Sequence, residues 1–277
     1  MFRRLRHWLR PRTRWRHFSG LVSTIGLSAW IEYRLDPLLN RQRGPWFILH
    51  PRQSIHPLHI RRNSSDLAVF SQIFVEREYA CLDDLTEVGL VIDCGANVGY
   101  STAYFLSRYP GCHVIAIEPD PGNFSMLQRN LAPYGSRAEL IRAGVWSRPA
   151  GLVIADSPYR DGREWTRQVR ECNPDEDADV EGLDIASIMT RSGHVRASII
   201  KIDVEGAEVV IFSDNYESWL NLTDAIVIEL HDDSVFGKGS EVFFSAIQGQ
   251  DFQISRSGEL TICQRPRRTS AAGQRQR

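Results

Sequence analysis

Val91-Ile92-Asp93-Cys94-Gly95-Ala96-Asn97-Val98-Gly99 is the stretch that decides the fold. Leu90, Val91 and Ile92 form a short apolar run that ends in an acid. A turn with glycines at 95 and 99 follows, and Tyr100 to Arg108 then carries a helical pattern. Strand, glycine turn and helix open an α/β unit whose ligand sits beyond the carboxyl end of the strand. Glycine has no Cβ, so the backbone there can come close to a ligand. The spacing is not the dinucleotide fingerprint G-x-G-x-x-G. It is not a phosphate-binding P-loop either, because no Gly-Lys-Ser/Thr follows.

Working outward, the alternation repeats. His113 to Ile117 predicts a second strand ending at Glu118-Pro119, and Pro121 to Leu131 a second helix. Ala138 to Ile141 predicts a third strand, with Gly144-Val145-Trp146 beyond it. Ser198 to Ile202 predicts a fourth, ending at Asp203, with a helix beginning over Ala207 to Phe212. Ala225 to Leu230 predicts a fifth, ending at His231. The expected fold class is α/β: a Rossmann-like, mostly parallel twisted sheet with helices on both faces. Upstream, the N-cap cluster Asn63-Ser64-Ser65-Asp66 and the spacing of Leu67, Phe70, Ile73, Phe74 and Tyr79 predict one helix from Asp66 to Leu82. Pro37, Pro45, Pro51 and Pro57 limit Tyr33 to Ile60 to short strands and turns. The insert from Gly151 to Leu183 reads as a β-hairpin or lid, and its Asp175-Glu176-Asp177 run as a solvated loop rather than a metal site.

Composition narrows the classes. Of 277 residues 42% are hydrophobic, enough for a real core, and the net charge of −1 selects neither nucleic acid nor membrane as a global partner. Cys81, Cys94, Cys112, Cys172 and Cys263 share no metal-ligand spacing, which fits free thiols in a reducing compartment. Residues 1–60 read as a basic N-terminal extension with short irregular elements. Arg3, Arg4, Arg6, Arg10, Arg12, Arg14 and Arg16 stand there among Trp8, Leu9, Trp15 and Phe18, a pattern suited to weak contact with an anionic membrane. The apolar stretch Gly20 to Ile31 is too short to span a bilayer. Residues 61–265 read as the catalytic domain, with 151–183 as insert or lid, and 266–277 as a disordered tail.

The strand ends carry the chemistry. An acid, a glycine two residues later and another four beyond it is the pattern of S-adenosylmethionine enzymes, which points to Asp93, Gly95 and Gly99. Glu118, at the second strand end, is placed to accept hydrogen bonds from both ribose hydroxyls of a nucleoside. Gly144, Val145 and Trp146 follow the third strand, where an adenine ring would lie; Trp146 either stacks on that ring or packs in the core. Asp203 should point into the crevice, with Glu205 beside it. Glu208 is read as complementing the positive end of the next helix. Glu229 and His231 project to one face of the fifth strand end, and histidine suits proton acceptance near neutral pH.

Asp66-Leu67-Ala68-Val69-Phe70 with Glu78-Tyr79, then VIDCGANVGYST (91–102), IEPDP (117–121), IKIDVEGAE (200–208) and IELHD (228–232), resemble the FkbM-type methyltransferases in motif order. The resemblance runs from about Arg61 to Cys263. It implies the class I methyltransferase fold and O-methylation of a hydroxyl on a sugar, polyketide, lipid or related metabolite. It implies cofactor contacts at Asp93, Gly95, Asn97, Gly99 and Glu118, and catalytic or substrate roles for Asp203, Glu205 and His231.

On this reading the cofactor is S-adenosyl-L-methionine, and Asp203 or His231 takes the proton of the attacking hydroxyl. Magnesium held by Asp203, Glu205, Glu229 and His231 ranks second, since no ligand spacing in the sequence demands a metal. The expected partner is a small hydroxylated substrate, not nucleic acid. The expected location is the cytoplasm, where the cofactor is made, with peripheral membrane contact through the arginines. The competing readings are N-methylation of nucleic acid or a small amine, and a non-catalytic nucleoside-binding adaptor. The Asn-Pro-Pro-Tyr type of motif used by many amino-methylating enzymes is absent after the fourth strand, where Asp203-Val204-Glu205 stands.

Overall fold

The computed structural model describes residues 19–27, 30, 44–155 and 168–266. The segment 19–25 is helical, and its Leu21 is buried in the main core. An antiparallel hairpin follows, β1 (Trp46–Leu49) and β2 (Leu58–Arg61). Then comes α1 (Asp66–Phe70), which widens into a π-helical turn over Ser71–Val75. The single helix expected from 66 to 82 is therefore broken. Arg77 takes a left-handed φ of 55°, and Glu78–Leu82 forms a separate 3-10 turn. The break carries Tyr79 onto the rings of Tyr104 and Phe105, at centroid distances of 6.1 and 5.2 Å. Tertiary packing here outweighs local periodicity.

The central unit runs β3 (Leu90–Cys94), α2 (Tyr100–Arg108), β4 (His113–Ile117), α3 (Pro121–Leu131), β5 (Ala138–Ile141) and β6 (Ala143–Val145). The insert supplies β7 (Ala150–Ile154), β8 (Val169–Glu171) and β9 (Val180–Leu183). The chain returns through α4 (Ile185–Ser192), β10 (Ile199–Ile202), α5 (Glu208–Ile211), α6 (Glu217–Leu220) and β11 (Ala225–Glu229). It ends with α7 (Gly239–Ala246), β12 (Gln253–Ser257) and β13 (Leu260–Gln264).

The main sheet has the order β12-β13-β11-β10-β3-β4-β5. Its five predicted strands are parallel, and β13 lies antiparallel between β11 and β12. Those last two strands were not foreseen. The exposed edge strand β12 reads Gln-Ile-Ser-Arg-Ser and shows no apolar alternation. Strands buried on both faces read instead as continuous apolar runs. On β3, Val91 joins the core shared with α1, α2 and α3, while Leu90 and Ile92 face the core shared with α4, α5 and α7. The order of strands reverses between β3 and β10, so the crevice at their carboxyl ends is the place for a ligand.

The insert strands make a second sheet, β6-β9-β7-β8, with β7 and β8 antiparallel. The turns expected at Asp156-Ser157-Pro158 and Asp161-Gly162 lie outside the described residues, as do the arginine-rich start and the tail beyond 266. Strand β2 crosses the boundary drawn at residue 60. Leu58 and Ile60 are buried, and the His59 amide donates to Asn130 Oδ1 at 2.7 Å. Among the described residues no helix is long and apolar enough to cross a membrane.

Arg61 clamps this hairpin to the sheet layer. Its Nη2 lies 2.7 Å from Oδ1 of the buried Asp66 and also donates to Asn123 Oδ1 on α3 at 2.7 Å. Removing one member of such a pair strands the other's charge. Asp66→Ala is expected to cost about 3 kcal/mol in urea unfolding; a midpoint equal to that of the native chain would exclude the clamp.

Candidate active site

A cleft of about 640 Å³, its open mouth included, lies at the carboxyl ends of β3, β4, β6 and β10. Gly95, Asn97, Glu118, Asp120, Asn123, Gly144, Val145, Asp203 and Glu205 all line it. Gly95 has φ +77°, and a Cβ there would collide with the carbonyl oxygen of Asp203. Only glycine lets the β3 turn and the β10 loop meet. Asn97 also has a left-handed φ, 51°, which asparagine tolerates better than most residues. Its amide donates to Glu118 Oε2 at 2.9 Å, while Glu118 Oε1 accepts from the Asp120 amide at 3.0 Å. Burial, against these hydrogen bonds, pushes the Glu118 carboxyl up to about 7. Asp120 caps α3, its side chain accepting from the Asn123 amide at 2.8 Å.

Four predicted site residues lie elsewhere. Asp93 is fully buried and does not line the cleft. Its Oδ2 accepts from Ser101 and Thr102 at 2.6 Å each, and Oδ1 lies 3.2 Å from Lys201 Nζ. Asp93 therefore braces the glycine turn from inside the protein. Gly99 starts α2 at φ +88°, and a Cβ there would press on Leu127 and Leu131, so its role is helix packing. Trp146 packs in the core with Leu152, Val169 and Val180, edge-on to Phe236 at 5.7 Å, and its Nε1 donates to Glu171 at 2.7 Å. The ring is not available for stacking on adenine. His231 is the fourth: it is 1% exposed and stands behind the cleft wall.

Behind that wall an acidic centre forms. His231 Nδ1 lies 2.8 Å from Glu208 Oε1, and its Nε2 stands 3.6 Å from Glu205 and 3.8 Å from Glu229. Burial lowers the imidazole pKa, but the Glu208 hydrogen bond and the charges of Glu208, Glu205 and Asp203 outweigh it and raise it to about 10. The ring is buried and does not line the cleft, so it is not placed to take a proton from a substrate there directly. Glu229 is pushed up to about 9 by burial and by the charge of Asp203. Glu208 is fully buried. Its Oε1 also accepts from the Val204 amide at 3.3 Å, so it is buried against His231 while it still opens the first turn of α5. Glu205 holds a left-handed φ of 51°, and its carbonyl accepts from Gln168 Nε2 at 2.5 Å.

Sequence reasoning missed Lys201. It is 3% exposed and donates to Gly95 O at 2.6 Å while facing Asp93 and, at 3.7 Å, Asp203. Burial lowers its pKa, yet the two carboxylates outweigh that and hold it raised. One signal was present: a lysine inside the apolar run Ile199-Ile200-Lys201-Ile202 needs a buried partner. Asp120 and Asn123 were missed as well, because they belong to a helix start whose exposure only the fold sets.

A parallel sheet with a reversed C-terminal strand, and an acid-and-glycine cleft at its switch point, define the class I S-adenosylmethionine-dependent methyltransferases. Residues 93–254, more than half of the chain, match the methyltransferase FkbM domain model, and the protein belongs to that family. It is 25% identical over 183 residues to Methyltransferase 1 of Beauveria bassiana, covering 59% of this chain and 73% of that one. It is 25% identical over 217 residues to Methyltransferase sdnD of Sordaria araneosa, covering 68% and 82%. A solved SAM-dependent methyltransferase from Agrobacterium tumefaciens superposes with a TM-score of 0.45 at 10% identity, covering 83% of this chain and 72% of that one.

The cleft residues fit the cofactor. Glu118 offers carboxylate oxygens to ribose hydroxyls, and Ile117, Val145, Ile154 and Val169 give apolar walls for a base. The Gly95 backbone leaves room beside Asp203. Hydroxyl donors favour the ionised form of Glu118, so a proton taken up in the free protein below about pH 7 must leave on binding. Affinity for S-adenosylhomocysteine is expected to fall as pH drops through 7, approaching about tenfold per unit below it. Calorimetry from pH 8 to 6 checks this. Glu118→Gln should bind more weakly with a flat profile, and an equally steep profile in that variant would remove Glu118 from the ribose site.

Proposed function

We propose that the enzyme methylates a hydroxyl group on a small metabolite of the sugar, polyketide or lipid kind. Asp203 carries the reading. It lies one residue past β10, its side chain is 32% exposed, and it lines the cleft against the Gly95 turn. A hydroxyl must lose its proton to become a good nucleophile, whereas a neutral amine already has its lone pair. A carboxylate at this place therefore supports oxygen as the acceptor atom.

Bound S-adenosylmethionine supplies an electrophilic methyl carbon on a sulfonium. Asp203 is anchored by its amide, which donates to Cys94 O at 3.1 Å, and by Lys201 at 3.7 Å. As the new C–O bond formed and the sulfonium S–CH₃ bond broke, leaving the thioether S-adenosylhomocysteine, the hydroxyl proton would pass to the Asp203 carboxylate, an effect worth about 10²–10⁴-fold in rate. Glu118, another residue of the cleft lining, holds the nucleoside and takes no part in the proton transfer. This reading keeps the enzyme in the cytoplasm, with its cofactor supply.

Asp203→Asn is expected to lower kcat by about 10²–10⁴ on a hydroxylated acceptor found by screening, with S-adenosylmethionine KM little changed. An unaltered kcat would remove Asp203 as base. A product carrying its new methyl on nitrogen would replace the hydroxyl reading with the amine one.

A further inference from the structure

Asp203, Glu205 and His231 present ligand atoms that all lie within 4.8 Å of one another. Exposed acids often gather without consequence, but here the histidine is different. Its ring is 1% exposed, Nδ1 is fixed on Glu208 at 2.8 Å, and Nε2 makes no hydrogen bond. That nitrogen faces Glu205 at 3.6 Å and Glu229 at 3.8 Å. Both distances are too long for a hydrogen bond. They are close to the separation of two ligands on one ion, which is about 3–3.5 Å for bonds near 2.1 Å. The carboxylate on the far ring nitrogen is the partner that orients a metal-bound imidazole. Four carboxylates (Asp203, Glu205, Glu208 and Glu229) surround this histidine, while the nearby ammonium of Lys201 is engaged by Asp93 and Gly95 O.

We propose that Asp203, Glu205 and His231 bind a divalent transition-metal ion, with Glu208 orienting the histidine. One imidazole with two carboxylates suits Mn²⁺ or Zn²⁺ better than Mg²⁺ or Ca²⁺, which prefer shells of oxygen alone. Asp203 and Glu205 line the cleft, so the ion faces the acceptor. Its role rests on the hydroxyl reading above. The acceptor oxygen binds the ion, its pKa falls, and its proton passes to the Asp203 oxygen that is not on the metal.

The test is metal uptake without turnover. The full chain is freed of metal with chelator and titrated with MnCl₂, free Mn²⁺ being read by electron paramagnetic resonance. One ion per chain is expected, displaced by ZnCl₂ but not by excess MgCl₂. Glu208→Gln should weaken binding about 10–100-fold, and Glu205→Gln and His231→Ala should weaken it at least as much. Circular dichroism melts identify the variants that fold, and Glu205→Gln, a same-shape change at the cleft surface, keeps the test decisive if His231→Ala does not. No uptake of Mn²⁺ or Zn²⁺ at millimolar concentration, or uptake unaffected by Glu205→Gln, overturns the proposal in favour of a histidinium held by carboxylates alone. Displacement by Mg²⁺ overturns the choice of ion. A chain that binds Mn²⁺ here yet methylates nitrogen keeps the site and loses the hydroxyl reading; one that methylates hydroxyls without taking up metal loses the site alone.

Discussion

The buried pair of Lys201 and Asp93 is the constraint on which the rest depends. The two residues are register partners on adjacent strands and point into the same side of the sheet. Burying two charges is costly unless each is fully satisfied. Here Ser101 and Thr102 bond the carboxylate, and the Gly95 carbonyl accepts from the ammonium. These bonds tie the end of β3 to the start of α2 and to the end of β10. The glycine turn is thereby held open against Asp203, and the cleft takes its shape from that junction.

From this junction the cleft extends toward two electrostatic environments. In one, Glu118 is buried and shares its oxygens among backbone donors. In the other, four carboxylates crowd one buried histidine, and a positive charge there relieves their repulsion. Lys201 touches both sides of the junction through Gly95 and Asp203, so the glycine turn and the Asp203 carboxylate are positioned by one side chain.

The remaining parts are walls. The small sheet of the insert supplies Ile154 and Val169 to the cleft, and Gln168 braces the strained Glu205 loop through its carbonyl. The N-terminal hairpin supports α3, whose cap residues Asp120 and Asn123 line the same space. The sequences of these walls show turns and short strands without any pattern that names a ligand.

Much of the architecture was legible in the sequence. Runs such as Leu90–Cys94 and Ala225–Glu229 are apolar because both faces of a parallel sheet are covered, and each ends in a turn or acid that marks the carboxyl edge. Local patterning therefore determined the strand–helix alternation, the glycine turn and the acids at the strand ends. It did not determine which of those acids meet a ligand. Asp93 and Asp203 each follow an apolar run, yet one is sealed by Ser101, Thr102 and Lys201 while the other lines the cleft. Trp146 and Glu208 turned inward for similar reasons. Sequence sets the residue type and its place on an element; burial and charge pairing depend on residues far apart in the chain, such as Cys94 with Lys201 or Glu208 with His231, and only the folded structure brings these together.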